Sequence, residues 1–169
     1  MKNTIAISMI FITFLVKGQE GVSKFQLMND LIGEWEGTGW VITQERQKRF
    51  TRVNERLTYK LDSSIIYIEG KGINIEDGKV VHDAIGIVHL DPNTSQLMMM
   101  AFTEEGRNTL TALTFPTVDS FEWLIQLGPA GTIRYTAVVK DGTWIEAGSY
   151  SRDGDTWNQF FEMTLRKKS

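Results

Sequence analysis

Residues 31–40 read LIGEWEGTGW: three glycines, two tryptophans and two glutamates in ten positions. Side chains alternate faces along a strand, so Trp35, Gly37 and Gly39 fall on one side and Glu34, Glu36, Thr38 and Trp40 on the other. A glycine inside a strand removes a side chain and lets the chain bend sharply. With Gly33 just before them, these residues describe a first strand that curls over the narrow end of a barrel, Trp35 filling that end.

The sequence on either side agrees. Upstream, Ser23–Ile32 sets Phe25, Leu27, Met28, Leu31 and Ile32 at helical spacing behind a Ser23 cap, predicting a short helix that serves as lid or plug. Downstream, stretches rich in Val, Ile, Thr, Tyr, Phe and Trp recur roughly every ten residues. Turn chemistry separates them at 76–79 (EDGK), 91–93 (DPN), 104–106 (EEG), 128–131 (GPAG), 140–143 (KDGT) and 152–155 (RDGD). Links this short join antiparallel neighbours, because parallel strands need crossovers of about a dozen residues or more. Strands are expected at 34–43, 47–60, 64–75, 79–90, 96–103, 107–115, 119–127, 131–140, 143–151 and 155–167, about ten in all. Two open edges would invite aggregation, and closure removes them. The fold class is therefore all-β: an antiparallel up-and-down barrel with a short N-terminal helix.

Lys2 and the apolar run 5–16, ending in Val16-Lys17-Gly18, have the form of an export signal, too short for a comfortable membrane span. Residues 1–18 are read as a signal peptide and 19–169 as one barrel domain. Loss of Lys2 and Lys17 moves the formal charge from −3 to −5. An acidic surface with no basic stripe argues against nucleic acid as partner. No second apolar span follows, so the mature chain should carry none. The chain has no cysteine, which excludes disulfides, a thiol nucleophile and a Cys-based metal site. A bacterial periplasm or the secreted medium is the expected compartment.

Gly33-x-Trp35-x-Gly37-x-Gly39 after a short helix, then antiparallel strands and a late Arg166, resembles the lipocalin and fatty-acid-binding (calycin) superfamily, and within it the nitrobindin-like barrels and their exported bacterial relatives. The resemblance implies a ligand held inside the barrel, and for nitrobindin-like proteins haem on a histidine near the C-terminus. No histidine follows His89. The fragment His82-x-x-x-Gly86 matches part of that family's middle-strand pattern, with Ala84 where the family has Glu. Gly33, Trp35, Gly37, Gly39 and Arg166 are the structural residues of this reading, Arg166 stacking on the aromatic surface where the last strand meets the first.

Spacing limits the chemistry further. His82 and His89 stand seven residues apart, on opposite faces of one strand, and cannot share a metal inside the barrel. In Met98-Met99-Met100 at most two sulfurs converge, which suits core filling better than copper. Glu55, Glu69 and Glu146 are mid-strand carboxylates; each is either an acid or base held at raised pKa or the partner of Arg52, Arg56 or Arg134. No serine has the setting of a hydrolase nucleophile.

These readings converge on an exported barrel that holds a small, largely apolar molecule, as a monomer or weak homodimer. The ligand-binding residues are expected to be His82, Trp123, Tyr135, Glu146, Trp157, Gln159 and Phe161. No catalytic residue, metal or cofactor is expected, with haem as a side branch. Two other readings remain: a cofactor-free isomerase or hydrolase-like barrel enzyme using Glu146, and a solid-core interaction protein filled by its own aromatics.

Overall fold

The computed structural model describes residues 28–43 and 45–169. The expected signal peptide, and residues 23–27 of the expected helix, lie outside them. Eleven antiparallel strands follow one helical turn at 28–30: β1 (Gly33–Ile42), β2 (Lys48–Lys60), β3 (Ile65–Asn74), β4 (Val80–Leu90), β5 (Leu97–Thr103), β6 (Asn108–Ala112), β7 (Thr114–Thr117), β8 (Ser120–Gln126), β9 (Thr132–Lys140), β10 (Thr143–Ser151) and β11 (Asn158–Lys167). Each strand pairs with its sequence neighbour except at one place, and β1 pairs with β11, giving the order β6-β5-β4-β3-β2-β1-β11-β10-β9-β8-β7. The sheet is a nearly closed up-and-down barrel.

The count of eleven rather than ten comes from the stretch expected as one strand at 107–115. It breaks at Leu113, whose side chain turns into the core at 5% exposure. Above the break β6 pairs with β5; below it β7 pairs with β8. One descending segment thus changes partners, and Pro116, with no N–H, limits β7 to an edge role. The seam between β6 and β8 is bridged by the Thr111 hydroxyl, which donates to the Leu124 carbonyl at 3.0 Å.

Turn chemistry sets the hairpins as expected. Asp141 and Gly142 both take positive φ, 50° and 68°, the geometry that a two-residue connection between β9 and β10 requires. The β2–β3 turn is different: Leu61, Asp62 and Ser63 all have positive φ without a glycine among them, a strained run.

Glycine in β1 has a steric cause. A Cβ on Gly37 would lie 2.0 Å from the Thr164 carbonyl oxygen, and one on Gly39 2.6 Å from that of Glu162. Strands β1 and β11 therefore approach too closely there for any side chain. Trp35 closes the floor at 1% exposure, its indole N–H donating to the Leu31 carbonyl at 2.7 Å and its ring meeting Trp144 edge-on at 5.8 Å. Met28 and Leu31 from the helical turn are buried against the same floor, with Leu57, Ile66, Val88, Leu97, Phe121 and Leu165 around it. The described part of the expected helix is thus a plug. The cation over Trp35 is Lys167, 5.5 Å from the ring, not Arg166. Trp35 pairs with Lys167 in register, while Arg166 pairs with Glu36 and is exposed on the outer face.

Candidate functional site

Above this floor the inner wall changes character. The inward positions of β8 and β9 are Phe121, Trp123 and Ile125, and Ile133, Tyr135 and Ala137, as their pairing shows. Phe121, Trp123 and Tyr135 form a stacked series, with centroids 5.9 and 5.0 Å apart and planes within 17° and 12°. Phe160 and Phe161 both meet Tyr135 edge-on, at 6.0 and 6.1 Å. Two consecutive residues share a face because the β10–β11 register shifts at Gly148/Ser149, a bulge that strict alternation in the sequence hides. Gly148 makes room for the Tyr135 ring, since a Cβ there would lie 2.9 Å from it. Trp123, Tyr135, Ile133, Phe160 and Phe161 are only partly buried, so this wall keeps accessible surface where the floor keeps almost none.

Two carboxyls point into the same lumen, Glu146 from within this wall, on the strand between β9 and β11, and Glu55 from β2. Glu55 points inward from β2, between Val53 and Leu57, and Glu146 points inward from β10 at 8% exposure. Neither forms an ion pair among the described residues, and the polar group beside Glu146 is the Trp144 N–H. The alternative of pairing with a neighbouring arginine holds for Glu69, which meets Arg56 at 4.0 Å, and not for these two. Burial pushes Glu146 up to about 8, and the adjacent Trp144 N–H pulls back slightly. That N–H does not reach hydrogen-bond geometry and is a buried donor without a partner. Burial also holds Glu55 well above the carboxylate range, and the charge of Glu146 raises it further. Tyr135 is pushed up to about 12 by burial and by Glu146, partly offset by Arg107.

Gly70 seats Glu55. A Cβ at that position would fall 2.5 Å from a Glu55 carboxyl oxygen, so the glycine of β3 holds space for the acid of β2. At the mouth, His82 points inward from β4 and is exposed to the opening. Surrounding protein lowers its pKa, against the raising effect of Asp83, Glu104 and Glu105 and with a small lowering effect of Arg107.

Of the seven expected ligand-binding residues, the structure brings Trp123, Tyr135, Glu146 and Phe161 together on the inner wall, with His82 at its mouth. Trp157 and Gln159 are not among them. The strand expected at 155–167 begins at Asn158; Trp157 stacks with the outward Arg134, 4.0 Å from its guanidinium, and Gln159 donates to Glu162 at 2.9 Å on the outer face. Glu55, weighed from the sequence as an acid or base or as an arginine's partner, is not among the expected ligand-binding residues, nor are Gly70 and Phe160. The inward parity of Glu55 with Val53 and Leu57 is the signal that could have found the first; the bulge concealed the third.

Other features carry less. His89 pairs opposite Ile65 on the outer face, so the two histidines are divided as expected. Met99 is in the core while Met100 faces out. A shallow depression of about 370 Å³ over β1–β4 is a field of mutually satisfied surface charges, with Lys71 at 3.1 Å from Asp83 and Lys168 at 3.6 Å from both Glu34 and Glu36. Among the described residues, no group of three or more His, Cys, Asp or Glu is placed to hold a metal, and no helix is long and apolar enough to cross a membrane.

Two solved structures share this architecture. The chain is similar to Rv2717c from M. tuberculosis, with a TM-score of 0.64 and 9% identity over 86% of this chain and 97% of that one. It is also similar to the S-type phycobiliprotein lyase CPES from Guillardia theta, with a TM-score of 0.60 and 10% identity over 92% and 99%. At these identities the likeness is one of fold. No protein-family model matches the chain, and no curated protein matches it by sequence.

Proposed function

We propose that this barrel is an exported carrier that holds a small, largely apolar molecule in its upper lumen. One observation carries the reading: a partly accessible aromatic wall shares the lumen with two inward carboxyls that have no cationic partner among the described residues. A pocket that is mostly apolar, with a few placed polar groups, is the usual form of a small-molecule site. The packed floor argues against a barrel solid along its whole length, because burial gives way to partly accessible inward residues above Trp35 and Trp144.

Haem fits this wall poorly. His82 is the inward imidazole of β4, but Glu104 and Glu105 beside it outnumber the one cation there, Arg107, where haem propionates would need cations. An acid–base enzyme is the second reading, favoured by Glu146 alone: a group titrating near 8 exchanges protons at neutral pH.

The test is thermal unfolding in the presence of a lipid, porphyrin and quinone panel, with native mass spectrometry of protein purified from its own host. A ligand that raises the midpoint in the wild type and not in Trp123→Ala supports the carrier. No response to any member, and no retained molecule, would overturn it. Export is tested by N-terminal sequencing of the mature protein, which should begin at Gln19.

A further inference from the structure

We infer that the occupant is a flat aromatic molecule bearing a basic nitrogen, its ring lying on the Trp123–Tyr135 stack and its ammonium held between Glu55 and Glu146. The inference rests on the lumen reading above and adds the chemistry of the guest.

Four features lead to a cation. First, Glu55 and Glu146 lie close enough for the charge of one to act on the other, and no cationic side chain offsets either of them. Second, the Trp144 N–H beside Glu146 is a buried donor, in a residue only 4% exposed, that has no acceptor of normal geometry. Ionising Glu146 would make the neighbouring carboxyl a stronger acceptor for it. Third, the faces of Trp123, Tyr135 and Phe161 carry the negative side of the ring quadrupole, which attracts cations and aromatic cations in particular. Fourth, Gly70 reserves the Glu55 seat, so the position of that carboxyl is built and not incidental.

Tyr135 from β9 is close enough to Glu146 to feel its charge, with Arg107 nearby; His82 at the mouth has Glu104, Glu105 and Arg107 around it, while Asp83 is held by Lys71 on the outer face. Met163 and Ala137, the cross-strand partners of Glu146, are apolar, as are Trp35 and Gly70 opposite Glu55. In the free protein burial favours the protonated form of both carboxyls, and near pH 7 Glu146, raised to about 8, holds its proton. When an ammonium enters, one carboxylic proton leaves to solvent, and the charge inside the barrel is unchanged. The guest replaces the proton as counter-ion.

Isothermal titration calorimetry with tryptamine, tryptophol and indoleacetate separates the possibilities, since the three share a ring and differ in the charge of a short tail. Near pH 7 tryptamine should bind about tenfold tighter than tryptophol, with indoleacetate weakest. Titrations in buffers of different ionisation enthalpy should show release of up to about one proton with tryptamine and none with tryptophol. Glu146→Gln and Glu55→Gln should remove the preference for tryptamine over tryptophol and abolish the proton release. Tryptophol binding as tightly as tryptamine, or tryptamine binding without proton release, would overturn the proposal. If tryptamine and tryptophol bind equally and both weaken in Trp123→Ala, the lumen reading stands and the amine reading falls; if none of the three binds, the amine reading falls and the ligand panel above decides the lumen reading. Glutamine has the shape of a protonated glutamate, and near-ultraviolet circular dichroism checks that the variants fold. Should they not, the wild-type affinity order and proton release decide by themselves.

Discussion

Replacing Glu146 with glutamine should make the ligand-free protein more stable at neutral pH and leave it unchanged in acid. The ordinary value of such a carboxyl is 4.5, and in the barrel it rises to about 8. Between those values the unfolded chain has lost the proton that the folded chain still holds, so the stability of the wild type falls as pH rises through this window and is fully present only below it. At pH 7 the difference amounts to roughly 3 kcal/mol, from about 1.4 kcal/mol per pH unit over the interval above 4.5. Glutamine cannot ionise and escapes this loss. Glu55 is displaced in the same direction and titrates together with Glu146, so the wild-type decline should be steeper than a single group gives. Urea denaturation from pH 4.5 to 8 measures the effect, and a gain of roughly 3 kcal/mol corresponds to a melting point about 10 °C higher in a domain of this size. A flat wild-type profile, or a Glu146→Gln curve that parallels it, would refute the claim that this carboxyl is buried without a partner.

Three further outcomes follow from steric and aromatic contacts. Gly70→Ala should displace the Glu55 carboxyl and cost about 1 to 3 kcal/mol in urea denaturation, and should weaken any tryptamine preference. Gly37→Ala places a Cβ against the β11 backbone, which cannot rotate away as a side chain can; a loss above about 3 kcal/mol, with a lower melting point, is expected. Trp123→Ala should remove much of the near-ultraviolet dichroism that the Trp123–Tyr135 stack produces, and cost about 3 to 5 kcal/mol if the wall does not collapse.

The strands and hairpins were legible because turn chemistry is local: Asp141-Gly142 announces its own geometry. The split at Leu113 was not, since it depends on which neighbour each half of the segment finds after closure. Inward parity located Trp123, Tyr135, Glu146 and Phe161, which sit in regular strands. The same rule failed at Trp157 and Gln159, which precede the bulge in β11 and lie on the outer face. Glu55 was open to either of two roles until the fold showed that the nearby arginines point outward, away from it. Lys167 in place of Arg166 over Trp35 is a matter of register by one residue, which closure decides and periodicity alone does not.

The Thr111 hydroxyl bond to Leu124 spans a gap where every other upper neighbour pair is laced by main-chain ladders. A cylinder joined in this manner behaves as a split ring. Its girth can widen where this side-chain hydrogen bond parts while every ladder stays intact, so the first amides to exchange with solvent should lie along β6 and β7.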